Sequence, residues 1–177
     1  MKKTIFVLLI ILSASSCKIA VENPPKTTTK NFLWIKEKTP PQNLKAIAKC
    51  YLECNNGTSI KGKAVIRIAN NTATIKLYTS AGIYAGKISI LPDGIYASEN
   101  IAPFATYIRS VKQIESALTG YIYDKNYKIL SPQLIELPFG SIRELYFYKD
   151  GSFDKVVIEN NRCQLTIKPI KVKEAKR

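Results

Sequence analysis

Four cysteines, at positions 17, 50, 54 and 163, are the residues of this 177-residue chain best equipped for chemistry, and no histidine accompanies them. Without an imidazole, Ser/His/Asp triads, Cys/His dyads and His-containing zinc or haem sites are excluded. Cys50 and Cys54 lie four positions apart, and on one face of a strand they would stand about 13 Å from each other, far beyond disulfide reach. A bridge, if one forms, joins Cys163 to one of these two. The Cys-x-x-x-Cys spacing on a strand is not a zinc signature, so the three thiols read as small buried hydrophobes. Acidic residues such as Glu99, Glu115 and Asp124 are scattered, with no pairing suited to glycoside chemistry. The expectation is a protein that is not an enzyme and that needs neither cofactor nor metal.

Cys17 belongs to a different context. Met1-Lys2-Lys3 is cationic, residues 5–12 form an unbroken apolar run, and Ser13-Ala14-Ser15-Ser16 leads into Cys17. This is the pattern of a secretory signal peptide, too short to remain as a membrane-spanning helix. Small residues ahead of a cysteine that directly follows the apolar run resemble the lipobox of bacterial lipoproteins, although Ala14 stands where that motif usually has Leu. The resemblance implies that residues 1–16 are removed and that Cys17 is the lipid attachment site. It also implies outer-membrane destination, because Lys18 stands where an inner-membrane lipoprotein typically has Asp. The alternative is cleavage after Ala14 or Ser16, which leaves a soluble periplasmic protein.

Removing residues 1–16 removes Lys2 and Lys3, so 27 − 2 = 25 cations face 13 acids, a net charge of +12. Such a charge favours anionic surfaces. For an exported lipoprotein these are lipid head groups or lipopolysaccharide rather than nucleic acid. The alternative is that the lysines are simply the solvated faces of strands.

The elements that must position these residues follow from periodicity. Residues 17–30 are polar and turn-rich and read as a flexible tether; residues 31–38, with Phe32, Leu33, Trp34 and Ile35, read as a short element closing against the domain. Residues 44–54, 60–68 and 73–79 then alternate apolar and polar with period two. Asn55-Asn56-Gly57, Asn70-Asn71, Ala81-Gly82 and Pro92-Asp93-Gly94 separate the strands as turn signals, giving an up-and-down meander of about five strands through Ala97. Tyr107, Ile108, Val111, Ile114 and Leu118 recur at helical spacing, and Gly120 ends that helix. Strand rhythm resumes from Tyr127 to Lys168, and a basic tail from Lys171 to Arg177 closes the chain. We place the domain at 31–172 and the tail proper at 173–177.

The fold class expected is mainly β (α+β): an incomplete antiparallel barrel of about nine to ten strands capped by a helical insertion. Its inner face carries many small and branched residues, including Ala46, Ala48, Gly62, Ala64 and Ala73, and such a core is under-filled unless the helix or a ligand enters it. The candidate cavity residues are Ala48, Ala64, Ile66, Ile68, Ile75, Leu77, Ile114 and Leu118. The alternative is a packed sandwich without a cavity.

This succession of a short N-terminal element, antiparallel meander, mid-chain helical insertion and final strands resembles the LolA/LolB family of lipoprotein carriers and outer-membrane receptors, over residues 31–172. The resemblance implies an unclosed barrel whose apolar cavity, under a helical lid, accepts acyl chains of lipoproteins, and whose lipid-anchored members insert them into the outer membrane. It further implies an apolar residue on a loop between early strands that engages the bilayer, for which Ile83 at the tip of Ser80-Ala81-Gly82-Ile83-Tyr84 is the candidate. The expected partners are lipid acyl chains or lipoproteins, the outer membrane and a periplasmic carrier protein, with no nucleic acid and a monomeric state. The chain is shorter than typical receptors and its helical insert is brief. The competing function is a structural or assembly lipoprotein, not a carrier, whose basic surface binds lipopolysaccharide or another envelope component.

Overall fold

The computed structural model describes residues 43–174. The expected leader, Cys17, the tether, the 31–38 element and residues 175–177 lie outside the described residues. The meander expected from the period-two segments forms as β1 (Leu44–Cys54), β2 (Ser59–Ala69), β3 (Thr72–Thr79), β4 (Tyr84–Leu91) and β5 (Gly94–Ala97). After a helical insert come β6 (Lys128–Ser131), β7 (Leu134–Phe139), β8 (Ile142–Lys149), β9 (Ser152–Glu159) and β10 (Cys163–Glu174).

All ten strands form one antiparallel sheet in the order β5-β4-β3-β2-β1-β10-β9-β8-β7-β6. Each half is a run of neighbours joined by short turns, and the first and last strands meet in the middle. Two of the turns are two-residue connections with both residues in the left-handed region. Asn70 and Asn71 have φ of 50° and 56°, and Asp150 and Gly151 have 51° and 75°. These are the residue types that reach such angles at least cost, and the resulting twist matches that of the strands they join. The end strands β5 and β6 do not pair with each other, so the sheet is open.

Alternation decides which face is buried. In β1 the residues Leu44, Ala46, Ala48, Cys50 and Leu52 are buried, while Lys45, Ile47, Lys49 and Glu53 are exposed. The helical insert covers the buried face. The helix expected from Tyr107 to Leu118 forms but starts later, at Val111: a 3-10 turn (Glu99–Ile101), α1 (Ala102–Ala105) and a bend over residues 106–110 precede α2 (Val111–Thr119). The later start has a local cause. The Ser110 hydroxyl accepts from the Gln113 backbone N–H at 3.1 Å, and the Gln113 carbonyl Oε1 reaches back to the Arg109 N–H at 2.7 Å. This reciprocal capping starts a new helix at Val111. Gly120 ends it with φ 72°, as expected, and a side chain there would meet the Cβ and Cγ of Phe153 at 2.6 Å. The Tyr148 hydroxyl fixes the same point by donating to the Gly120 carbonyl at 2.8 Å. α2 packs across the centre of the sheet, on β10, β9, β1 and β3.

The C-terminal end also differs from expectation. Lys171–Glu174, read as the start of a basic tail, continue β10 and pair with Leu44–Ile47 of β1. Charge suggested a solvated tail, but the unpaired backbone of the first residues of β1 is the stronger determinant. Cys54 and Cys163 stand directly opposite each other and form a disulfide, whereas Cys50 faces Ile167 as a buried free thiol.

Candidate functional site

Three places could bind or react: the seam between α2 and the sheet, the polar cluster at the start of α2, and the outer face of the sheet.

At the seam, α2 lays Ile114, Ala117 and Leu118 against Ala64 and Ile66 of β2 and Ile75 and Leu77 of β3. These surround an apolar void of about 30 Å³ to which Phe104 and Ile108, from α1 and the bend, also contribute. Six of the eight residues expected to line a cavity meet here; Ala48 and Ile68 are fully buried but lie outside its lining. Phe104 and Ile108, not among the eight, were discernible only as apolar residues of the insert. The small residues of the inner face are matched by bulky ones from the insert, so the interior is nearly full. Ligand cavities usually measure about 300–1,000 Å³, so this seam as folded has no space for an acyl chain. Cys50 borders the void, and burial pushes its thiol up to about 12, which keeps it protonated and unreactive.

At the start of α2, the buried Glu144 of β8 is surrounded by donors. Arg109 forms an ion pair with it, Gln113 Nε2 donates to Oε1 at 2.7 Å, and the Tyr146 hydroxyl donates to Oε2 at 2.8 Å. The Arg109 guanidinium also lies 3.5 Å from the centre of the Phe139 ring. Burial, then the Glu144 charge, raise the Tyr146 phenol well above its ordinary range. With its oxygens so occupied, Glu144 holds the insert in place rather than acting as a base.

The outer face is the third place, and pairing register builds it. Lys45 stands directly opposite Lys173 on one side and Arg67 on the other; Lys49 stands likewise between Lys168 and Lys63; Lys76 stands opposite Lys87. All eight of these cations, Lys45, Lys49, Lys63, Arg67, Lys76, Lys87, Lys168 and Lys173, are exposed. Among the described residues, only Lys168 of this group has an acidic partner, Asp154 at 2.7 Å. Between the cations lie the exposed apolar side chains of Ile47 and Val65. A groove of about 780 Å³ opens on this face, lined among others by Lys45, Arg67, Lys76, Lys171 and Lys173. The basic composition made an anionic partner conceivable, but only strand register gathers these charges on one surface.

Ile83 stands on the β3–β4 hairpin and is 67% exposed, next to the exposed Tyr84. Its backbone is pinned, since Thr79 N–H donates to the Ile83 carbonyl at 2.8 Å and Ile83 N–H to the Thr79 hydroxyl at 3.2 Å. A rigid hairpin thus holds an apolar side chain out in solvent. Among the described residues no helix is long and apolar enough to cross a membrane, and no group of three or more His, Cys, Asp and Glu is placed to hold a metal ion.

Compared with known proteins, the chain matches no family model and no curated sequence.

Proposed function

We propose that this protein is a lipid-anchored envelope protein, attached through Cys17 to the periplasmic side of the outer membrane, whose outer sheet face docks on a polyanionic membrane surface. The observation that carries this reading is the register of like charges: Lys45 between Lys173 and Arg67, and Lys49 between Lys63 and Lys168. Like charges directly opposite each other destabilise a sheet. A face built this way is relieved when lipid phosphates cover it, each cation near an anionic surface contributing about 1 kcal/mol. Long lysine side chains also reach past the sheet to the phosphate level while their stems rest on Ile47 and Val65.

The test uses the mature chain carrying Cys17→Ser, so that no acyl group contributes. Cosedimentation with vesicles containing phosphatidylglycerol should be strong at low salt and fall steeply as ionic strength rises. Equal retention by purely zwitterionic vesicles would sink the reading.

A second reading, carriage of acyl chains as in the LolA/LolB resemblance, is favoured by one observation: the seam under α2 is wholly apolar and the insert packs over the face of the open sheet. Because the void is about 30 Å³, cargo would require α2 to lift from the sheet. Moving an acyl chain out of a membrane into water costs on the order of 10 kcal/mol at about 0.8 kcal/mol per methylene, so the opened seam must offer nearly the same burial. Native mass spectrometry showing co-purified lipid, or displacement of a fluorescent fatty acid, supports carriage; consistent absence of both removes it. In this reading Ile83→Glu slows delivery to vesicles without weakening cargo binding.

A further inference from the structure

Within the basic face one place differs from the rest. β10 carries an extra residue, Ile170, where Ala48 pairs with Pro169 and Ile47 with Lys171. Pro169 cannot donate to the ladder, and the bulge re-aims the strand beyond it, as bulges generally do. Past this point Lys173, Lys45 and Arg67 form one row across three strands, with Thr74 next to Arg67. The adjacent row reads Lys171, Ile47, Val65, Lys76, so an apolar pair is flanked by a cation at either end. Both rows border the groove of about 780 Å³, a volume within the range of ligand sites. The row Lys168, Lys49, Lys63 borders the same apolar pair from its other side, but none of its three cations lines the groove, and Asp154 neutralises Lys168.

We propose that this groove is a discrete site for one membrane lipid bearing a phosphomonoester. The doubly charged phosphate sits against Lys173, Lys45 and Arg67, and the aliphatic part of the lipid adjoining its headgroup rests on Ile47 and Val65. Three converging cations match a dianion better than the single charge of a phosphodiester, and the guanidinium of Arg67 supplies a paired fork of donors. Lys171 and Lys76 close the ends. Glu174, the one acid lining the groove, is the last residue of β10, opposite Leu44, and forms no ion pair among the described residues. This assignment rests on the proposed docking of the basic face and narrows it to a lipid class and a position.

The experiment compares vesicles of phosphatidylcholine doped with phosphatidic acid or with phosphatidylglycerol at matched surface charge, using the full mature chain with Cys17→Ser. Phosphatidic acid should be bound about tenfold more tightly, the effect of roughly one strong charge-assisted contact. Lys45→Gln with Lys173→Gln should abolish that preference, whereas Lys49→Gln with Lys63→Gln should weaken both lipids alike. Ile47→Ser with Val65→Ser, both at exposed positions, should reduce the preference while leaving the charge untouched. Circular dichroism confirms that each variant is folded. If both double lysine variants weaken both lipids equally, the discrete site is overturned and the docking face stands. If neither anionic vesicle is bound, both fall together. Displacement by millimolar inorganic phosphate as effective as by lipid would overturn the lipid assignment in favour of a free-anion site.

Discussion

Arg109, in the bend before α2, pairs with the buried Glu144 of β8 across 35 positions of sequence, and this pair ties the helical insert to the C-terminal half of the sheet. The 3-10 turn and α1 rest on β4 and β5 at the other half. The insert is therefore held at both ends, with the apolar seam beneath it.

Arg109→Met should cost about 2–4 kcal/mol in urea unfolding, because it leaves a buried carboxylate with neutral donors only. Amide exchange of α2 should quicken more than that of β1, since the latch acts on the insert. The double variant Arg109→Met, Glu144→Met should recover part of the loss, as apolar replacements of a buried pair often do. Unchanged exchange in α2 would show that the pair does not hold the insert. If the seam opens to admit acyl chains, the single variant should also take up a fluorescent fatty acid more readily.

Cys54 and Cys163 close a segment spanning 109 positions at the end of the central β1–β10 pair. Reduction, or Cys54→Ala with Cys163→Ala, should lower stability by about 2–5 kcal/mol, chiefly by enlarging the unfolded ensemble. Comparison of the urea midpoints of oxidised and reduced protein measures this, and coincident curves would contradict it.

Alkaline pH should unfold the protein through groups held neutral inside it. Burial raises Cys50 to about 12, and burial also raises Tyr146 and Tyr148 above the ordinary tyrosine range. Each then keeps its proton in the folded chain after the unfolded chain has lost it. Their contribution is complete below the unfolded value and is lost as pH rises from there to the folded value. For Cys50 that window runs from about pH 9 to about 12, with a slope of up to about 1.4 kcal/mol per pH unit. Cys50→Ala should therefore flatten the fall of stability between pH 9 and 10 relative to the parent, whatever its effect at pH 7. Identical slopes would show that the thiol is not protected.

The strands were legible because period-two alternation is a local property, and each sheet half is made of neighbours in sequence. The turns at Asn70-Asn71 and Asp150-Gly151 were legible because few residue types adopt left-handed angles. The end of α2 at Gly120 was legible for the same reason. Its start was not: helical spacing is continuous from Tyr107, and the interruption comes from side-chain capping by Ser110 and Gln113. Nor did the basic residues at 171–174 announce a strand, because the partner that orders them, the first turn-free stretch of β1, lies over a hundred positions away.

Residue types alone excluded histidine chemistry and determined a chain of alternating, basic, antiparallel strands with a helical interlude. Tertiary structure decided which cysteine Cys163 joins, how nearly the helical insert fills the interior, and that cations distant in sequence stand side by side. The reason is physical: local conformation depends on neighbours along the chain, whereas the volume left in a core and the field over a surface depend on which distant strands meet, and in what register.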